Sequence, residues 1–174
     1  MRIVRIGLAI AIAVALQTAF TSFFVGTNVS VDFLLVVVVF VAVRGGAVVG
    51  LWTGTVSGLI QDLLSGGIIG VSGLVKSMVG FGVGFVGAQL FVTDSWKYAL
   101  ILVGTTVVHA ICLVGVYAVV PRIGPAVLWV DLLVQCVLNA TVGFFMAETL
   151  KYWPRVQESF KRRRDFGRRR WRTS

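Results

Sequence analysis

The sequence predicts an all-α integral membrane protein, a bundle of six transmembrane helices. Of its 174 residues, 57% are apolar and only 13% are charged, whereas about a quarter of the residues in a soluble domain are charged. The apolar residues fall into six runs that are separated by short polar or glycine-rich turns. Little of the chain is left for a soluble catalytic domain, so we expect a protein that is not an enzyme and binds no cofactor or metal.

The first three helices are predicted from run length and from the residues that end each run. The first run follows Arg2 and Arg5 and is long enough to cross about 30 Å of hydrocarbon at 1.5 Å per residue. The second run is short and ends at Arg44, where Gly45 and Gly46 favour a tight hairpin. The third run continues directly from this hairpin.

The last three helices are separated by stronger turn signals. The fourth is rich in glycine and carries Lys76, and a polar loop at residues 93–97 follows it. The fifth has His109 at its middle, where a lone histidine is typically a packing residue, and it ends before a proline-rich turn at 121–125. We expect one domain of residues 1–150, with helices at 6–25, 29–43, 47–64, 69–91, 98–120 and 126–150.

Basic residues predict the orientation of the bundle. With six spans, fourteen of the sixteen Lys and Arg residues lie on one side of the membrane, and Arg122 lies on the other. The positive-inside rule makes the first side cytoplasmic, with both chain termini on it.

The C-terminal residues 151–174 form a separate, strongly basic segment. Because they are highly charged and poor in apolar residues, we expect a disordered cytoplasmic tail. Basic residues next to a membrane are attracted to anionic headgroups. The residues expected to contact anionic lipid or a partner are Arg162, Arg163, Arg164, Arg168, Arg169 and Arg170.

Glycines in the third and fourth helices form the first candidate site. Gly50, Gly54 and Gly58 recur every fourth residue, with Asp62 one turn later. Residues four apart share a helix face, and small residues on one face let membrane helices pack closely. The predicted helix-packing or partner interface comprises Gly50, Gly54, Gly58, Gly70, Gly80 and Gly84.

Polar side chains in the predicted outer half of the membrane form the second candidate site. A charge at a helix centre costs about 2.5–3.5 kcal/mol, so opposite charges should meet there. Our first hypothesis is an ion pair between Lys76 and Asp62; the alternative is that each side chain reaches the outer headgroups separately. A stripe at spacing four on the sixth helix adds three further side chains. The predicted cluster comprises Asp32, Asp62, Lys76, Asp131, Gln135 and Asn139.

The order of these features resembles the MreD family of bacterial rod shape-determining proteins. The resemblance rests on the short second helix that opens with VDFLL at 31–35, the glycine helix, and DLLSGG at 62–67. It covers roughly residues 4–150. Residues 69–72 depart mildly from the family pattern, and the arginine-rich segment at 161–172 is not part of it.

The resemblance implies a non-enzymatic scaffold subunit of the rod complex, or elongasome, in the bacterial cytoplasmic (inner) membrane. Such a subunit supports lateral peptidoglycan synthesis and rod cell shape. The implied partners are MreC, RodA, a class B penicillin-binding protein and, indirectly, the MreB filament, together with anionic lipids and without nucleic acid.

The family's six-helix arrangement is also similar to the substrate-binding subunits of energy-coupling-factor transporters. This similarity leaves an alternative function open. In that case the chain would be a small-molecule-binding membrane subunit, and the outer polar cluster would be its site.

Overall fold

The computed structural model describes residues 2–23, 31–66, 68–89, 94–119 and 129–170, without the side chains of residues 2, 23, 117–119, 129 and 152–170. These residues form six α-helices. In chain order they are α1 (Arg2–Phe23), α2 (Phe33–Gly45), α3 (Ala47–Ser65), α4 (Val71–Gln89), α5 (Ser95–Val119) and α6 (Trp129–Arg170). The prediction of an all-α chain with six helices is therefore confirmed.

Five of the six helices are long and apolar enough to cross a membrane. The spans are Ile3–Ser22, Ala47–Ser65, Val71–Gln89, Ser95–Val116 and Val130–Lys151. The exception is α2, which has 13 residues. At 1.5 Å per residue α2 reaches roughly 20 Å, less than the thickness of the hydrocarbon core. The chain is thus a multi-pass membrane protein with one short helix.

The short helix α2 lies at the centre of the bundle. Eight of its 13 residues are buried, as expected for a helix that is apolar on every side. One face, with Leu34 and Val37, packs on α1, and Leu35 packs on α4. Another face, with Val39 and Phe40, packs on α5 and α6. Because α3 also packs against α2, five neighbouring helices surround it and exclude lipid from it.

A single residue joins α2 to α3. Gly46 lies between the two helices with a φ of +85°, and its backbone N–H donates to the carbonyl oxygen of Ala42 at 2.8 Å. This positive φ is accessible to glycine and costly for other residues. The tight hairpin predicted after Arg44 is present.

Gly50, Gly54 and Gly58, which we call the glycine strip, pack α3 directly against α4. A Cβ atom added at Gly54 would lie 2.6 Å from the carbonyl carbon of Lys76 and 2.9 Å from the Cα atom of Ser77. At Gly50 it would lie 2.9 Å from the carbonyl carbon of Gly80. No side chain fits at these distances. The strip is therefore filled by the chain's own α4, and the two backbones touch.

The C-terminal helix α6 is much longer than a membrane span. It has 42 residues and continues to Arg170, beyond the end of the last predicted span at residue 150. Lys, Arg, Gln and Glu are good helix formers. Extending an existing helix also avoids the cost of nucleation. The membrane-spanning part of α6 thus provides the nucleus for the helix that follows.

We expect Gly54→Leu to destabilise the bundle by about 1–3 kcal/mol, because the side chain overpacks a contact between two backbones. Gly54→Ala should also destabilise it, to a smaller extent. The measurement is thermal unfolding of the purified protein in mild detergent, together with its abundance in the membrane.

Gly115→Leu is the matched control, since a Cβ atom at Gly115 meets no described atom within 4 Å. It should leave the unfolding temperature unchanged or raise it slightly, because leucine is the better helix former. Equal effects of Gly54→Leu and Gly115→Leu would contradict the close α3–α4 contact.

Candidate functional site

A buried ion pair connects the start of α2 to the second turn of α4. The Nζ atom of Lys76 lies 2.6 Å from both carboxylate oxygens of Asp32. The Lys76 side chain is 0% exposed, and that of Asp32 is 3% exposed. Nζ also donates to Oε1 of Gln61 on α3. Lys76 therefore connects three helices, and its charge is neutralised inside the bundle.

The same carboxylate caps the N-terminus of α2. Oδ1 of Asp32 accepts a hydrogen bond from the backbone N–H of Leu35 at 2.8 Å. The backbone N–H of Asp32 donates to Oδ1 of Asn139 at 3.0 Å. The first N–H groups of a helix have no partner within it, and they are costly to bury unpaired. Asp32 and Asn139 together supply partners at a helix end that lies inside the bundle.

A second set of bonds links this helix end to α5. Nδ2 of Asn139 donates to Oγ1 of Thr106 at 3.0 Å, and Oγ1 of Thr106 donates to the carbonyl oxygen of Leu102 at 2.7 Å. Both polar side chains are fully buried. The network centred on Asp32 thus reaches α2, α3, α4, α5 and α6.

The expected ion pair between Asp62 and Lys76 is wrong. Oδ2 of Asp62 accepts hydrogen bonds from the backbone N–H groups of Gly70 at 2.8 Å and Ser72 at 3.1 Å. Asp62 therefore caps the start of α4, where the helix dipole favours a negative charge. Lys76 lies further along α4, and its side chain extends to Asp32 instead.

The stripe predicted on α6 contributes one residue to the network. Asn139 is buried at its centre. Asp131 and Gln135 are half-buried, and the side chains of both lack hydrogen bonds and ion pairs to any described residue. The structure therefore brings Asp32, Lys76 and Asn139 together, places Asp62 at the neighbouring helix start, and leaves Asp131 and Gln135 outside.

Sequence reasoning missed two members of the network and left His109 as a packing residue. Gln61 directly precedes Asp62, and Thr106 is three residues before His109. In the sequence, the only indication that Gln61 or Thr106 belongs to the network is that each is a polar residue within an apolar run. His109 is 4% exposed, and its Nε2 atom lacks a hydrogen-bond partner among the described residues. It lies close enough to Asp32 and Lys76 to interact electrostatically with both.

The remaining candidate residues have different positions. Gly50, Gly54, Gly58, Gly80 and Gly84 are buried in the α3–α4 contact. Gly70 instead lies in the turn before α4, with a φ of +102°. The side chains of the six tail arginines, at 162–164 and 168–170, lie outside the described residues.

Basic side chains collect at the opposite end of the bundle from Asp32, which we name the basic end and define by Arg44, Lys97 and Lys151. Lys97 lies 2.9 Å from Asp94, and Lys151 lies 3.5 Å from Glu148. The hydrogen bond from Lys97 lowers the pKa of Asp94, which precedes α5. These pairs are partly exposed and stabilise little, and their two lysines together with Arg44 make three cations at this end.

Comparison with models of known protein families gives a match over most of the chain. The family model described as rod shape-determining protein MreD matches residues 2–153, which include all five membrane-spanning segments. No curated protein matches the chain. No solved structure matches it either. Because the matched region covers most of the 174 residues, the chain belongs to the MreD family of rod shape-determining membrane proteins.

Proposed function

We propose that this protein is a non-enzymatic scaffold subunit of the rod complex in the bacterial cytoplasmic membrane. In this role it binds MreC, RodA and the class B penicillin-binding protein, and it supports lateral peptidoglycan synthesis. Its link to the MreB filament is indirect. The observation that carries the proposal is the family match, which extends over the whole helical bundle. The MreD family determines cell shape and is not a known enzyme family.

The arrangement of the buried polar groups supports a structural role. Asp32, Lys76, Asp62 and Asn139 all form hydrogen bonds within the chain. Their partners are helix ends and side chains of neighbouring helices. The groups that could bind a small molecule therefore already hold the helices in register.

The transporter alternative is less well supported by the same geometry. It requires the polar cluster to bind a small molecule from the outer side. The direct 2.6 Å contact between Lys76 and Asp32 uses the two charges that such a ligand would need. A ligand would have to break this buried pair, which is expensive unless it supplies equivalent charges.

The basic end supports the orientation that we propose for the bundle. Arg44, Lys97 and Lys151 belong to three different segments and lie at one end of the helices. The basic tail continues from that same end. By the positive-inside rule we propose that this end faces the cytoplasm, together with both termini.

Co-purification in mild detergent tests the scaffold proposal. MreC from the same organism should be recovered with the tagged protein, and the protein should restore rod shape to a strain that lacks its own MreD. A tagged membrane protein of similar size serves as the control for nonspecific recovery. The absence of MreC, together with failure to restore rods at normal membrane abundance, would show that the scaffold proposal is wrong.

Reporter fusions test the orientation separately. A fusion after Arg44 should report a cytoplasmic position, and a fusion after Gly124 should report the outer side. Both expectations follow from the distribution of basic residues. An outer signal from the fusion after Arg44, together with a cytoplasmic signal from the fusion after Gly124, would show that the bundle has the opposite orientation.

A further inference from the structure

The arginine in the last turn of α2 lies against a pair of stacked aromatic rings. Phe40 of α2 and Tyr98 of α5 are both buried, and their ring centroids are 4.5 Å apart with planes only 2° from parallel. The Cζ atom of Arg44 lies 5.9 Å from the centre of the Phe40 ring and 6.0 Å from that of the Tyr98 ring. These distances are typical of a cation–π contact. The guanidinium group is therefore positioned by two rings that belong to the core of the bundle.

The charge of Arg44, unlike those of the other two cations at the basic end, is not neutralised within the described part of the chain. Lys97 forms an ion pair with Asp94, and Lys151 forms one with Glu148. The Arg44 side chain is exposed and makes no ion pair or hydrogen bond to a described residue. A guanidinium group has five N–H donors, and the contact with the rings supplies no acceptor for them. Arg44 is thus the cation at this end that is free to bind an anion.

The basic end lies at the boundary of the apolar spans. The spans of α3 and α5 begin at Ala47 and Ser95, and the span of α6 ends at Lys151. Arg44 directly precedes the α2–α3 hairpin. Trp96, which is 56% exposed at the start of α5, is of the residue type that is enriched where hydrocarbon meets headgroups. Phospholipid phosphate groups lie just outside the hydrocarbon core. Arg44 is therefore at the depth of the phosphate groups of the nearer leaflet.

The chemistry of arginine matches a phosphate group at this depth. The planar guanidinium group can donate two parallel hydrogen bonds to the oxygens of one phosphate, and such charge-assisted bonds are stronger than neutral ones. A membrane presents phosphate groups at this level on every side of the bundle. The anion that fits Arg44 is therefore the phosphate of a phospholipid.

The charge of the C-terminal segment favours an anionic phospholipid over a zwitterionic one. Residues 151–174 contain ten Lys and Arg residues against Glu158 and Asp165, and α6 carries this segment away from the basic end. A positive potential near the membrane attracts lipids with a net negative charge. It disfavours headgroups in which an amine offsets the phosphate charge.

We propose that Arg44, positioned by Phe40 and Tyr98, binds the phosphate of one anionic phospholipid in the leaflet at the basic end. The C-terminal segment attracts the same class of lipid without selecting a position for it. This inference goes beyond the proposed scaffold function, because it requires neither a protein partner nor a particular orientation of the bundle.

Lipid titration of the full-length protein tests the site. The protein in dodecyl maltoside is titrated with phosphatidylglycerol or with phosphatidylcholine, and bound lipid is counted by native mass spectrometry. The wild type should bind the first phosphatidylglycerol more tightly than phosphatidylcholine. Arg44→Gln should weaken this binding by about tenfold, because it removes the charge and the paired donors. Arg44→Lys keeps the charge without the planar group and should weaken it by about threefold.

Lys97→Gln is the matched control, since it removes one positive charge at the same end from a side chain that is already paired. It should change the affinity by less than about twofold. Equal losses in Arg44→Gln and Lys97→Gln would show that net charge alone attracts the lipid, and equal binding of the two lipids by the wild type would also overturn the proposal.

Inorganic phosphate distinguishes a lipid from a soluble ligand. Addition of inorganic phosphate should leave the bound phosphatidylglycerol in place, because the acyl chains hold the lipid at the bundle. Its displacement would show that Arg44 binds soluble phosphate compounds and that the inference is wrong. Each variant must keep the wild-type thermal unfolding. None of these results depends on MreC, so failure here leaves the scaffold proposal standing.

Discussion

The ion pair between Lys76 and Asp32 is the interaction on which the rest of the structure depends. It allows α2 to be shorter than the membrane is thick, because the start of α2 lies inside the bundle. A helix end in an apolar interior leaves backbone N–H groups without water. The carboxylate of Asp32 satisfies one of them, and Lys76 neutralises the charge that the carboxylate brings. Removing either partner would leave a buried charge alone, which is costly.

The glycine contact between α3 and α4 determines where Lys76 lies. The backbone of Lys76 itself touches Gly54, so the side chain extends from a backbone that α3 holds in place. Gln61, two turns further along α3, receives a hydrogen bond from Nζ. The small residues and the charged residues thus belong to one arrangement. Close packing of α3 on α4 positions the cation, and the cation holds α2.

The sequence was sufficient to predict the helices and a close helix contact along the glycines of α3, but not which helix makes that contact. Apolar runs of known length and glycines at spacing four depend only on local periodicity, which is readable in the chain. The partner of Lys76 could not be predicted from the sequence. Asp32 is 44 residues away from Lys76, and Asp62 and Asp131 carry the same charge at a similar predicted depth. The choice among them depends on helix rotation and on which helix end needs a cap.

One other feature also required the three-dimensional arrangement. The central position of α2 follows from five neighbouring helices that pack around it, whereas its composition alone equally describes a lipid-facing helix.

A double-mutant cycle on the ion pair tests the account most directly. Asp32→Asn keeps an oxygen for the α2 cap while removing the charge, and Lys76→Met removes the cation with similar volume. Each single variant should lower the free energy of unfolding by about 3–5 kcal/mol, because it leaves one charge buried without a partner. The double variant, measured in the same detergent, should be more stable than either single variant. Additive losses, or a loss no larger than that of Asp131→Asn, would contradict the central role of this pair.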